Sequence, residues 1–246
     1  MPFDRDVFFD LIKTKPFGGE FTQQQVDGMN AILDVWEMEY EESVDDLRWL
    51  ANPLAQGYHE TGGEMWPVEE YGKGEGMEYG KPDPETKQTY YGRGYIQITW
   101  RDNYARADDE LGLTKDTGME WHAERALEAD IAAQTLFRGM MEGWFRKSGS
   151  PATPNTLAKY FNATTNDVFG AREIVNGDKN KVPSWSNGVS IGNLIKGYHE
   201  NFLAALEASY VDVLEPEPEV PVVLITVIAP PGVRVEVKVL QDGEGL

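Results

Sequence analysis

The sequence predicts a mainly helical, α+β chain in which a large helical domain is followed by a short linker and a small β segment. Three observations carry this. Apolar residues recur at spacings of three and four over most of residues 4–210. That pattern gives way at 72–89 to a stretch rich in Gly, Pro, Lys and Glu. Beyond the acidic, proline-rich segment Glu215-Pro216-Glu217-Pro218-Glu219-Val220-Pro221 the period changes to two, in Val233-Arg234-Val235-Glu236-Val237-Lys238-Val239. The expected organisation is a large helical domain at 1–213, a stiff linker at 214–221 and a β-hairpin tail at 222–246.

Taken in order, Val7, Phe8, Leu11 and Ile12 give a first helix over 4–14, ended by Phe17-Gly18-Gly19. Thr22 is placed to cap a second helix at about 23–40, with Val26, Met29, Ile32, Leu33 and Trp36 inward. A third helix runs over 44–60 through Leu47, Leu50, Leu54 and Tyr58, with a kink or break expected at Pro53. It ends at Glu60, before Gly62-Gly63. The 72–89 stretch reads as a long irregular loop, and loops of that length are usually functional. Residues 95–99 alternate like a short strand. Helical patterns follow at 102–111, 124–144, 156–161, 167–175 and 189–210.

Composition narrows the chemistry. The 246 residues carry 42 acidic and 22 basic side chains, a formal net charge of −20. Such a surface repels phosphates, which disfavours a nucleic-acid partner. There are no cysteines, so disulfides, thiolate metal sites and thiol nucleophiles are excluded. The longest apolar run, 222–229, is far short of the ~20 residues a spanning helix needs. The first residues lack a basic stretch followed by an apolar one. The expectation is therefore a protein made in the cytoplasm without a signal peptide.

Glu60 is the leading candidate for chemistry. Tyr58, His59, Met65 and Trp66 surround it with aromatic and apolar bulk, which raises a carboxyl pKa on burial. Glycoside hydrolysis needs one such acid and a second carboxylate, and Glu64, Glu69, Glu70, Glu75 and Glu78 are all available downstream. An inverting pair would stand roughly 6.5–9.5 Å apart. Gly92-Arg93-Gly94 permits a tight turn, and Gln97 and Thr99, two apart on an expected strand, would share a face with Asn103 close behind. Against this stands the plainer reading of a polar strand face and solvated charges. Other motifs fail. His59-Glu60 begins like the zincin motif, but its second histidine position is Gly63, and His122 and His199 are remote, so no metal is expected. Gly80-Lys81 is followed by Pro82, which breaks the match to a phosphate loop.

Together, His59-Glu60-Thr61-Gly62-Gly63 and the segments at 69–76, 90–104 and 171–178 resemble glycoside hydrolase family 19, the chitinase and phage-endolysin family. The segments at 17–28 and 197–206 look like its cysteine-free endolysin branch, and the resemblance spans about residues 3–210. It implies a lysozyme-like, two-lobed helical fold with a small β-sheet near the cleft. It also implies an inverting mechanism on β-1,4 bonds of N-acetylated aminosugar polymers, with no cofactor. Glu60 takes the place of the general acid. Glu70 takes that of the base, with Glu69 in reserve. Thr99 matches the residue that helps hold the attacking water. Gln97, Asn103 and Asn176 match substrate-lining positions, and His59, Tyr91, Tyr104 and Arg172 lie in the matching segments and join that set. The branch favours peptidoglycan over chitin and action on a cell wall after release from a phage- or prophage-bearing cell. A lytic transglycosylase, which needs one glutamate, and a non-catalytic glycan-binding or virion protein are the alternatives. The tail at 222–246 has no counterpart in that pattern, and self-association or docking is its expected role.

Overall fold

The computed structural model describes residues 3–148 and 152–210, together with 231, 232 and 234. The chain divides into two units, Met1–Val211 and Asp212–Leu246. The expected linker and hairpin lie, but for those three positions, outside the described residues.

The first unit is mainly helical. Helix α1 (Arg5–Thr14) starts where the Asp4 carboxylate accepts from the backbone N–H groups of Asp6 and Val7. Helix α2 (Gln23–Glu39) starts with a reciprocal pair: Thr22 Oγ1 accepts from Gln25 N at 3.1 Å, and Gln25 Oε1 accepts from Thr22 N at 2.8 Å. Helix α3 (Arg48–Glu60) is shorter at its start than the periodicity implies and runs unbroken through Pro53. One backbone hydrogen bond is lost there, but every residue from Leu50 to Gly57 is buried, and that packing outweighs it. The remaining helices are α4 (Arg101–Leu111), α5 (Ala129–Glu142), α6 (Leu157–Tyr160) and α7 (Ile191–Ser209). The single helix expected over 124–144 is two pieces, because Glu128 is extended (φ −70°, ψ 126°) between a short 3-10 turn at Ala123–Leu127 and α5.

Two packed cores explain the arrangement. The larger joins α1, α2, α3, α5 and α7 through Phe8, Ile32, Trp36, Leu54, Phe137 and Phe202, each at most 1% exposed. The smaller gathers Tyr90, Ile98, Tyr104, Ala107, Met119 and Trp144 around α4. Helix α5 serves both, with Leu136 and Phe137 in one and Ile131 in the other. The small sheet is a pair of two-residue antiparallel strands, β1 (Val68–Glu69) and β2 (Arg93–Gly94), in the register Val68 to Gly94 and Glu69 to Arg93. A second pair, β3 (Lys147–Ser148) and β4 (Thr153–Pro154), lies further along.

The strand expected at 95–99 is a tight turn. Ile98 pairs back with Arg93 through two backbone hydrogen bonds of 2.9 and 3.2 Å, and Gln97 between them takes φ +56°. The alternation misleads because Tyr95, Ile96 and Ile98 are all buried, so the chain folds inward rather than displaying one face. Tyr95 reaches α2, where its hydroxyl donates to the Gly28 carbonyl at 2.8 Å. Gly28 leaves space for the segment after α3: a Cβ there would stand 1.7 Å from the Met65 carbonyl oxygen.

Candidate active site

Glu60 ends α3, and the turn after it is pinned. Thr61 Oγ1 donates to the Gly57 carbonyl at 2.7 Å and accepts from Met65 N at 3.0 Å. Gln25 Nε2 donates to the Gly63 carbonyl at 2.9 Å, tying this turn to the start of α2. The Glu60 side chain is only 15% exposed and pairs with the Arg172 guanidinium. Gln56 lies one helical turn earlier on the same face, and its Oε1 accepts from Arg172 Nη1 at 3.0 Å. Arg172, on the 3-10 turn Gly170–Ile174, is fully buried and forks onto Asp178, with Nε to Oδ1 at 2.7 Å and Nη2 to Oδ2 at 3.2 Å.

Burial and charge compete at Glu60. Burial raises its pKa, and the Arg172 cation and hydrogen bond work against it; the net direction is upward. The C-terminal end of a helix, with its partial negative charge, acts in the same upward direction. At Asp178 burial also pushes up, but the bidentate Arg172 contact wins and the pKa is lowered. One cation thus faces two carboxylates and shifts only the less buried one downward. Burial, with Arg172 adding to it, lowers the His59 pKa to about 4, so its imidazole is neutral at pH 7.

The second group of carboxylates sits on and beside β1. Glu69 is held on both oxygens: Tyr91 Oη donates to Oε1 at 2.5 Å, and Lys73 Nζ lies 2.7 Å from Oε2. The Lys73 contact, followed by that of Tyr91, lowers its pKa. Arg93, opposite Glu69 in the sheet, stacks its guanidinium 3.6 Å from the centre of the Tyr91 ring. Glu70 points elsewhere. Its Oε1 accepts from Tyr79 Oη at 3.1 Å and its Oε2 from Gly92 N at 3.1 Å.

The turn after β2 is fastened to this patch. Gln97 Nε2 donates to the carbonyls of Val68 at 3.0 Å and Gly94 at 3.3 Å. Thr99 Oγ1 donates to the Gln97 carbonyl at 2.9 Å, and Asn103 Nδ2 to the Thr99 carbonyl at 2.7 Å. Gln97 and Thr99 therefore do not share a strand face, as their spacing implied; a turn brings them together. Tyr104 corrects another expectation. It is 0% exposed, and its hydroxyl donates to the Tyr91 carbonyl at 2.8 Å and accepts from Arg93 Nη1 at 3.1 Å. It supports the wall from inside and cannot touch a substrate in this conformation. Arg172, also expected to bind substrate, is buried against carboxylates instead. Asn176 is exposed, with its Oδ1 accepting from Gly177 N at 2.7 Å.

Four residues of these networks were not picked out from the sequence: Gln56, Lys73, Tyr79 and Asp178. Gln56 and Lys73 carried a readable signal, standing four residues from Glu60 and Glu69. Asp178 carried only its place at the end of the segment 171–178, and Tyr79 carried none. Among the described residues, no group of three or more His, Asp or Glu could hold a metal ion, and no helix is long and apolar enough to cross a membrane.

The backbone decides the fold. A bacterial family 19 chitinase matches it with a TM-score of 0.50 over 82% of this chain and 93% of its own, at 22% identity. Chitinase C from Streptomyces griseus HUT6037 matches with a TM-score of 0.51 over 82% of this chain and 75% of its own, at 19% identity. The chain has the family 19 chitinase fold. At this level of identity the fold is kept while most side chains have changed. No protein-family model and no curated protein matches the sequence.

Proposed function

We propose that the chain is a glycoside hydrolase acting on β-1,4 bonds of N-acetylated aminosugar polymers, with Glu60 as general acid and Glu70 as general base. The observation that carries this is Glu60 itself. It is buried at a helix end, and burial raises its pKa, the direction a general acid needs. Arg172 stays beside it to receive the carboxylate left once the proton is given. The water opposite the leaving group gives its proton to Glu70 as its oxygen bonds to the anomeric carbon. The glycosidic bond breaks, and its oxygen takes the Glu60 proton.

Glu70 is preferred to Glu69 on chemical grounds. Glu69 is committed to a lysine and a tyrosine, and its lowered pKa makes it a poor proton acceptor. Glu70 is held by a neutral hydroxyl and one backbone N–H, so its oxygens keep free lone pairs. Thr99 and Asn103 lie next along the chain as further polar groups for the water and sugar. Peptidoglycan is the favoured polymer, from the endolysin-like motifs. Chitin is the second, because the similar solved structures are those of chitinases. The test is mass spectrometry of products from purified peptidoglycan and from chitin oligosaccharides. New reducing ends from one polymer, lost in Glu60→Gln and in Glu70→Gln, support the reading and name the polymer. An anhydro product that survives Glu70→Gln indicates a transglycosylase. No product from either polymer removes the enzyme reading.

A further inference from the structure

Trp100 occupies a position where local chemistry disfavours tryptophan. It follows Thr99 and stands at the N-cap of α4 with φ +72° and ψ 136°, a conformation that suits glycine. Its side chain makes no cap hydrogen bond, where Ser, Thr, Asp or Asn would make one. Its indole is large and apolar, yet 52% of the residue is exposed. The backbone is nonetheless held firmly. Trp100 N donates to the Tyr90 carbonyl at 2.9 Å, and the Trp100 carbonyl accepts from Asn103 N at 3.0 Å and Tyr104 N at 3.3 Å. The Tyr79 ring stands edge-on to the indole at 5.1 Å between centres and braces it. The fold thus tolerates a strained backbone and an unfilled cap, and the result is one aromatic side chain open to solvent. Strain that the surrounding structure imposes in this way points to a role outside the fold itself.

The indole forms one side of a cavity of about 340 Å³, lined also by Glu78, Tyr79, Pro82, Asp83 and Arg101. That is the small end of ligand pockets, which run from roughly 300 to 1,000 Å³, and it suits one ring-sized group. The charges around it are paired with one another. Arg101 reaches Asp83 at 3.2 Å, Glu85 at 2.8 Å and Glu120 at 2.7 Å, and Lys81 reaches Glu78 at 2.6 Å. A charged ligand would have to break these pairs, whereas a neutral ring with an apolar face would not. The cavity adjoins the candidate active site at two points: Trp100 is the residue after Thr99, and Tyr79, on the cavity wall, donates to Glu70 Oε1 at 3.1 Å. We propose that Trp100 is a stacking platform for one neutral N-acetylated aminosugar ring of the polymer, outside the two rings joined by the bond that is cleaved. The proposal rests on the reading of the substrate as such a polymer, and not on which carboxylate is the base. A pyranose ring carries C–H bonds on its faces and polar groups around its rim. It covers the indole with apolar contact while its rim stays in water or meets the polar groups at the cavity edge. The fixed backbone aims the indole and Tyr79 keeps it from turning, so little side-chain freedom is lost when the ring arrives.

The experiment sets Trp100→Gly and Trp100→Phe beside the unmodified protein, with kinetics on length-graded oligomers of the polymer it cleaves and a thermal melt of each. In Trp100→Gly, KM for long oligomers should rise about tenfold with kcat within about twofold. For the shortest oligomer that is cleaved, KM should stay within about twofold, because that chain does not reach the platform. Trp100→Phe, which keeps a smaller ring, should fall between. The melt should run the other way. Glycine suits both φ +72° and an N-cap, so the Tm of Trp100→Gly should be equal or higher. A tryptophan kept only for packing predicts a lower Tm and the same loss on every oligomer. That pattern, or an unchanged KM on long oligomers, overturns the proposal. If the unmodified protein cleaves neither polymer, calorimetric titration with long N-acetylglucosamine oligomers decides. Binding that weakens about tenfold in Trp100→Gly keeps the platform while the hydrolase reading fails. Equal binding by both proteins, or none by either, overturns the platform.

Discussion

Arg172→Met is the substitution whose consequences the geometry fixes most tightly. The guanidinium is fully buried and lies against two carboxylates, Glu60 and Asp178, and the amide of Gln56. A methionine fills much of the same volume and removes the charge. At neutral pH this leaves the Asp178 carboxylate without its cation and the Glu60 carboxyl with nothing opposing its burial. Removing one partner of a buried pair costs about 3–5 kcal/mol. For a domain near 200 residues that lowers Tm by about 6–20 °C at about 2–4 °C per kcal/mol. The pH dependence is the sharper test. Asp178 has a lowered folded pKa, so its contribution is present above the unfolded value and is lost as pH falls through the folded one. Glu60 has a raised folded pKa, so its contribution is complete below the unfolded value and is lost as pH rises through the folded one. Without Arg172 the first gain disappears and the second loss deepens, and both act at higher pH. The gap between wild type and Arg172→Met should therefore be widest at pH 8 and should close toward pH 4. Urea unfolding followed by tryptophan fluorescence at pH 4.5, 6 and 8 measures it. A gap that is constant, or that widens in acid, would refute the account of one cation shared by two carboxylates.

Other outcomes follow from single contacts. Gly28→Ala places a Cβ 1.7 Å from the Met65 carbonyl oxygen, so α2 and the segment after Glu60 must part; calorimetry should show a loss of about 1–3 kcal/mol or more, and no loss would mean that this approach is not tight. His199 is buried in α7 with both ring nitrogens unpartnered and its ring stacked on Phe161, and burial lowers its pKa to about 4. The folded state thus excludes a proton that the unfolded chain accepts below about pH 6.5, and stability falls from there down to about pH 4. His199→Phe should remove on the order of 3 kcal/mol of that acid-side decline; an unchanged slope between pH 6.5 and 4 in denaturant titrations would count against it. Lys73→Met, at an ion pair whose lysine is 63% exposed, should leave stability nearly unchanged, and a clear shift of the midpoint in chemical denaturation would contradict that. Activity on an anionic polymer should rise with salt as screening relieves the repulsion of a chain with net charge −20, and equal rates at low and high salt would argue against charge as a barrier.

Local chemistry was readable where it acts over a few residues. Thr22 caps its helix as its type and place imply, and Glu60 ends its helix before two glycines at φ +63° and +90°. The errors lie where packing overrode a local rule. Pro53 does not break α3, because the helix is enclosed along its length. Residues 95–99 do not form a strand, because three of them are drawn into the core. The strand pair that does form, Val68–Glu69 with Arg93–Gly94, is too short to leave any periodicity.

The sequence by itself determined the helical class, the helix end that carries Glu60, the reserve of carboxylates that follows and the family resemblance. All are properties of short segments, where residue type and spacing set backbone conformation directly. Tertiary structure alone decided which groups meet. It brought Arg172 to Gln56 across 116 positions, set Tyr79 on Glu70 rather than Glu69, and enclosed Tyr104 where an exposed residue was expected. Those contacts fix how much water each carboxyl keeps and which charge it faces. A pKa, and with it a part in catalysis, depends on both, and neither is encoded in any one stretch of chain.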